Sequence, residues 1–293
     1  MASMLYDYIP YIVGGTVGVL TLVLTLKKIL SRPKVHNDPR DLVILCIIPR
    51  GPSAPSFSPF VIKLETYLRA AKIPHKVAFD RGMLSPKQKT PYIMLNGEVI
   101  SDSQLCIEFL NKRFNVDLDK SLSNEDQAIS RAFRKMMEES FSWCYGLERW
   151  RFTDKQYLID AFKPFVPISF LTPFVMPFVI SLYRKRKEKS AYGQGLGRHS
   201  AEEAREFGLG DLKAISDYLG KKPFFMGENL TEVDCSLFGF LCQAKFQSPG
   251  LVYEKTVTED FPNLSEYVER VKAACWENWD DCITHNGTRK ATA

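Results

Sequence analysis

Three hydroxyls, Ser53, Ser56 and Ser58, stand in one short loop ahead of an apolar-periodic run, and the last is followed by Pro59. A Ser-Pro step of this kind reads as an N-cap and a first helical residue, because proline lacks the N–H that a helix start leaves unpaired. Such a hydroxyl can accept from a backbone N–H of the first turn, or donate to an anion drawn to the positive end of the helix. Asp102 and Ser103, eleven residues beyond Pro91, form a second start with the same two readings. Metal chemistry is not expected: the four histidines (His36, His75, His199, His285) and the seven cysteines show no ligand spacing. Gly193, Gly195 and Gly197 are spaced like a phosphate loop, but no strand is predicted ahead of them, so a nucleotide site is not expected either.

The elements that must position these residues can be read from the periodicity. Residues 42–48 are an apolar run of strand length, which needs cover on both faces. A helix over 60–72 follows, with Val61, Leu64 and Leu68 on one side, and Pro74 ends it before a strand at 75–79. Strands at 91–95 and 98–100 flank Asn96-Gly97, a strong hairpin signal, and a helix over 104–114 closes the unit. The order βαβ-ββα is the thioredoxin-like arrangement, in which the proline opening the third strand is where a cis peptide bond is held. Residues 121–285 carry helical patterns at about 124–150, 153–163, 200–219, 231–247 and 262–282, and no convincing strand. Thr231 and Asp234 have the spacing of a capping box.

Charge and apolar stretches add a membrane expectation. Lysines and arginines concentrate at 27–40 and 184–189, each a local +4; against a total of +5 this leaves the remainder at −3. Both clusters directly follow an uncharged stretch, so they read as membrane-surface charge and no nucleic-acid partner is expected. The first stretch, residues 8–26, is nineteen residues long, roughly 28 Å as helix, which suits a single transmembrane anchor. Gly14 and Gly18 in it are spaced for close helix approach. The positive-inside rule then places residues 27 onward in the cytosol. An odd count of seven cysteines without a Cys-x-x-Cys fits reduced thiols there, and sequons at Asn229, Asn263 and Asn286 offer a topology test. The second stretch, residues 164–183, contains Pro164, Pro167, Pro173 and Pro177. It is expected to be a hydrophobic loop or broken helix at the bilayer surface, with 184–189 on the headgroups, or else a buried loop or dimer contact. The expected organisation is a short N-terminal segment (1–7), the anchor (8–26), a basic linker (27–40), an α/β domain (41–115), an all-α domain (121–285) with the apolar insert 164–183, and a tail (286–293).

A thioredoxin-like domain followed by an all-helical domain resembles the glutathione transferase fold, and more closely the failed axon connections family, related to the metaxins. The resemblance covers residues 41–282. It is carried by Thr90, Pro91 and Tyr92 with Asp102 and Ser103, by residues 227–234 and by residues 261–271. Residues 56–60 leading into 63–68, together with residues 193–199, carry the closer match. It implies glutathione as ligand or substrate, with no metal. Thr90 would offer its backbone N–H and C=O to the cysteinyl unit like an added strand. Asp102 would meet the α-ammonium of the ligand, and Ser103 with the helix N-terminus its α-carboxylate. Ser58 occupies the position that faces the sulfur in serine- or cysteine-type transferases, with Ser56 and Ser53 as alternates. A hydroxyl donor there would favour the thiolate.

One departure separates this chain from the usual transferase pattern. Only ten residues, 81–90, connect the second strand to Pro91, too few for the usual second helix that helps hold the glycyl end of glutathione. Two functions therefore stand open. One is a membrane-tethered, cytosol-facing transferase conjugating glutathione to hydrophobic electrophiles. The other is a non-catalytic interaction protein on the same fold, a homodimer among its possible states, acting in axon development or at the mitochondrial surface. The anchor suits either the endoplasmic reticulum or the outer mitochondrial membrane.

Overall fold

The computed structural model describes residues 39–80, 85–162 and 172–293. Strand β1 (Val43–Ile47) is buried along its whole length, as its unbroken apolar run requires. Helix α1 (Pro59–Ala70) returns the chain to β2 (His75–Phe79), which pairs parallel to β1. Strands β3 (Tyr92–Leu95) and β4 (Glu98–Ser101) form the expected hairpin, with Asn96 and Gly97 both at positive φ, 49° and 89°. The sheet order is β2-β1-β3-β4, with β1-β3 and β3-β4 antiparallel, and helix α2 (Ser103–Phe114) follows β4. Because side chains alternate along a strand, Val43, Leu45 and Ile47 meet Val61, Leu64, Leu68, Ile107 and Leu110 of the two helices. Ile44, Cys46 and Tyr92 form a separate cluster on the opposite face. No described residue between β2 and β3 is helical, in keeping with the short connection.

The helical half begins with α3 (Asn124–Met136), which runs on through a π-helical turn (Met137–Phe141), α4 (Ser142–Leu147) and a second π-helical turn (Glu148–Phe152). Helices α5 (Lys155–Phe162), α6 (Thr172–Gln194), α7 (Ala201–Leu219), α8 (Glu232–Gln247), α9 (Val252–Lys255) and α10 (Pro262–Cys275) complete it. Helix α8 is apolar on nearly every side because it runs through the middle of the bundle and also abuts α1. Its start is fixed by Asp234, whose carboxylate accepts from the Thr231 N–H and hydroxyl, the Phe225 N–H and the Tyr267 hydroxyl.

Several expectations are corrected. The insert is helical from Thr172 and continues through the basic run to Gln194, so the described part of 164–183 is neither loop nor broken helix. Pro173 costs nothing in the first turn, and the helix carries Pro177 in its interior. Helix α10 stops at Cys275, short of 282, and a separate 3-10 turn (Trp279–Cys282) follows. The C-terminal residues pack on the loop after β1: Thr284 and Asn286 donate backbone N–H bonds to the Gly51 and Pro52 carbonyls, and Arg50 Nε reaches the Ala293 oxygen at 2.9 Å. The expected anchor, 8–26, lies outside the described residues. Among those described, no helix is long and apolar enough to cross a membrane.

Candidate functional site

Strand register brings the three sequence-predicted segments to one end of the sheet. β1 ends at Ile47, Tyr92 at the start of β3 pairs with Cys46, and Ser101 at the end of β4 pairs with Tyr92. The loop after β1, the residues before β3 and those after β4 therefore emerge together. A helix linking two parallel strands begins where the first strand ends, so the head of α1 joins them. Ser58, Thr90-Pro91 and Asp102-Ser103 all lie at this end, and the Thr90-Pro91 peptide bond is cis.

Ser58 occupies the N-cap position of α1, but its side chain caps nothing. The Val61 and Ile62 N–H groups bond to its carbonyl oxygen instead. The alternates are committed elsewhere. Ser56 is fully buried and its hydroxyl accepts the Ser58 N–H at 3.1 Å. Ser53 donates its N–H to Gln247 Oε1 and its hydroxyl to Asn286 Oδ1, both at 3.3 Å. Of the three hydroxyls, the half-buried one at Ser58 has no hydrogen bond among the described residues.

Asp102 is held at φ 88°, ψ 126°, outside the left-handed helical well that aspartate tolerates. Such a backbone costs of order 1–3 kcal/mol and persists only where the surroundings enforce it. Its exposed carboxylate accepts from the N–H groups of Gln104 at 2.9 Å and Leu105 at 3.3 Å. A negative charge thus sits at the edge of a helix N-terminus whose next residue, Ser103, is buried. That arrangement presents a carboxylate for a cation at the positive end of a helix, which favours an anion, the pair of charges an α-amino acid group carries. Thr90 lies beyond the last paired residue of β3, with its backbone groups outside the ladder.

The helical half supplies the floor. Arg149, only 4 % exposed, projects from the second π-helical turn and donates to the Phe57 carbonyl oxygen at 3.2 Å, to Gln243 Oε1 at 3.0 Å, to Ser248 Oγ at 3.1 Å and to the Tyr145 hydroxyl. It forms no ion pair with a described carboxylate, and its Nε meets no acceptor. Gln243 also donates to the Ser56 carbonyl oxygen, and Gln247 Oε1 accepts the Ala54 N–H at 2.8 Å. These contacts fix the serine loop from below. Phe57 stacks on Phe162 at 4.7 Å, and Trp150 lies 5.3 Å from Phe162, an apolar wall next to Ser58. Buried Lys63 bonds Glu138 at 2.6 Å and Gln104 Oε1 at 2.7 Å, tying α1, the start of α2 and the first π-helical turn together. Gly239 of α8 lets α1 come close, since a Cβ there would lie 2.5 Å from the Pro59 carbonyl oxygen.

All seven cysteines are buried. Burial pushes the thiols of Cys46 and Cys275 up to about 11 and those of Cys106 and Cys144 to about 12. They are held as thiols at neutral pH, so none supplies a thiolate nucleophile. Sequence reasoning did not find Arg149, Gln243, Gln247, Lys63 or Glu138. Two glutamines within the apolar run of α8 were the one legible signal, because a buried amide needs a partner.

The Glutathione S-transferase N-terminal domain model matches residues 59–156, and the Glutathione S-transferase, C-terminal domain model matches residues 208–271. The isoprene-epoxide–glutathione S-transferase of Rhodococcus sp. is 32% identical over 223 residues, 74% of this chain and 92% of that protein. The chain belongs to the glutathione S-transferase family. Failed axon connections of Drosophila melanogaster is 35% identical over 263 residues, 85% of this chain, and the chain spans 61% of that protein's length. Mouse Metaxin-2 is 21% identical over 227 residues, 74% of this chain and 82% of that protein. The chain is therefore a metaxin-related, glutathione-transferase-like protein and a homologue of Failed axon connections. A glutathione transferase from Methylobacterium radiotolerans, solved in complex with glutathione sulfonate, shares the fold with a TM-score of 0.54 at 15% identity, covering 83% of this chain and 94% of that one.

Proposed function

We propose that this protein binds glutathione at the end of the sheet formed by Ser58, Thr90-Pro91 and Asp102-Ser103, and conjugates it to hydrophobic electrophiles. The observation that carries the reading is Asp102. A strained backbone at a helix start, presenting an exposed carboxylate at the positive end of the helix, is costly for a cap alone and suited to the γ-glutamyl end of the tripeptide. In the mechanism, Thr90 aligns the cysteinyl unit through its backbone and Ser58 donates a hydrogen bond to the ligand's sulfur. Donation to the charged form favours thiolate over thiol, so the nucleophile is present before the electrophile arrives. The buried Arg149 guanidinium, close beneath this loop, adds positive potential in a dry setting. The electrophile rests on the Phe57, Phe162 and Trp150 wall. The chain is tethered by residues 8–26 with its folded part in the cytosol, a reading supported by the basic residues after that segment and by the seven reduced, buried cysteines.

Calorimetric titration of the full chain in detergent with glutathione, followed by turnover of a generic electrophile, tests the proposal. Binding weakened in Asp102→Ala and turnover lost in Ser58→Ala are expected, whereas no heat at millimolar glutathione would sink it. A second reading, a non-catalytic platform in axon development or at the mitochondrial surface, is favoured by the likeness to Failed axon connections and Metaxin-2 and by the short 81–90 connection. Binding without turnover would select it. Glycosylation of the exposed Asn229 in microsomes would reverse the assigned topology.

A further inference from the structure

Helix α6 separates its polarity along its axis. Its earlier turns expose Phe178 (71 %), Val179 (45 %), Leu182 (62 %) and Tyr183 (41 %), while Met176 and Ile180 are buried against Leu158. The later turns carry Arg184, Lys185, Arg186, Lys187 and Lys189 with one carboxylate, Glu188, and none of these five cations forms an ion pair with a described carboxylate. Phe178, Leu182, Lys185 and Lys189 are spaced by four, three and four residues, so they form one outward stripe, apolar at one end and cationic at the other. The inner face, with Ala191 packed near Leu147 and Ala204, keeps the helix fixed to the body. Beside the basic turns, Arg151, Lys185 and Lys189, with the single carboxylate Glu188, line a cleft of about 320 Å³. Arg151 is fixed there by its bond to the Gly197 carbonyl oxygen at 2.7 Å, and Arg184 reaches the Arg151 carbonyl oxygen at 2.7 Å.

Contiguous large apolar groups on a surface mark an interaction site. A protein partner would need only a complementary apolar face, and solvent would need only the charges. A bilayer surface asks for both in this order, apolar groups entering the acyl boundary and cations at the depth of the phosphates. We propose that α6 docks this protein onto an anionic bilayer, with Phe178 and Leu182 inserted and with Lys185, Arg186, Lys189 and the adjoining cleft on lipid phosphates. This docking is independent of glutathione binding and of the anchor at 8–26.

Because the native cysteines are buried, Leu182→Cys supplies a single accessible thiol for a polarity-sensitive fluorophore on the full chain. The labelled protein is mixed with phosphatidylcholine vesicles, with and without phosphatidylserine. The expected result is a blue shift with phosphatidylserine, reversed by salt, and a solvent-like label with phosphatidylcholine alone, even where the chain co-floats with those vesicles through its N-terminal segment. Each cation near an anionic surface contributes about fivefold, so Lys185→Glu, Arg186→Glu and Lys189→Glu together should lower the docked-to-free ratio at least about 100-fold. Phe178→Ser should weaken docking and leave its salt dependence. A label that stays solvent-like with phosphatidylserine, or shifts equally without it, overturns the proposal. So does a shift that grows with protein concentration in the absence of lipid, which would assign the face to a second copy.

Discussion

Asp102 separates a cap from a ligand group by the way stability and binding respond to the same substitutions. In Asp102→Ala the two N–H contacts at 2.9 and 3.3 Å are lost, about 1 kcal/mol, along with a favourable charge at the helix start, about 0.5 kcal/mol. Alanine keeps the strain at φ 88°, so a net loss of about 1.5–2 kcal/mol is expected. In Asp102→Gly the same contacts go, but glycine relieves about 1–3 kcal/mol of strain while costing about 0.5–1 kcal/mol in unfolded-state entropy. Its stability should therefore stand near that of the parent and about 1–2 kcal/mol above the alanine variant. For a unit of this size that is a difference in Tm of about 2–8 °C, measurable by differential scanning fluorimetry. Asp102→Asn keeps an acceptor and tolerates positive φ, so it should melt close to the parent. Glutathione affinity should fall in all three, by roughly 10- to 150-fold, because each lacks the charge-assisted bond to the α-ammonium, a contact worth about 1.5–3 kcal/mol. A glycine variant less stable than the alanine variant would refute the strain argument. Dissociation constants within twofold of the parent in all three would make Asp102 a cap and nothing more.

Lys63→Met should cost about 3 kcal/mol in urea unfolding, because it leaves buried Glu138 with only Arg134 at 3.3 Å and Ser236 at 2.9 Å. Adding Glu138→Leu should not restore stability, because it leaves buried Arg134 without its carboxylate. Gly239→Ala must separate α8 from the first turn of α1, so it should cost about 1–3 kcal/mol and weaken glutathione binding without touching the ligand, read by parallel melting and calorimetry. Asp119 accepts the Glu232 N–H at 2.7 Å at the start of α8, yet burial raises its carboxyl from 3.8 to about 6. The folded state then holds the proton more tightly than the unfolded state, and stability should decline as pH rises from about 4 to about 6. Asp119→Asn should flatten that decline by of order 1–2 kcal/mol, and unchanged pH-dependent melting would exclude the assignment.

The βαβ-ββα order, the Asn96-Gly97 turn, the α8 start at Thr231 and the pairing of Pro91 with Asp102-Ser103 were legible because each depends on neighbours in sequence. The extent of α6 was not. Local proline preference argued for a break, but burial of Met176, Ile180 and Ala191 holds the helix against the bundle and outweighs it. Ser58 shows the same limit at the site: a cap could be read from Ser-Pro, but not that its hydroxyl would be unused, nor that Ser53 is engaged by Gln247 and Asn286, almost two hundred residues away or more. By itself the sequence determined most of the elements and which residue types stand at their ends, since periodicity, caps and turns are local properties, and its motifs carried the family resemblance. The tertiary structure alone decided that Arg149 and Gln243 lie beneath the serine loop, that Lys63 joins α1 to Glu138, and that one stripe of α6 faces outward. Those contacts join residues far apart in the chain, and only packing selects among the many partners a buried polar group could have.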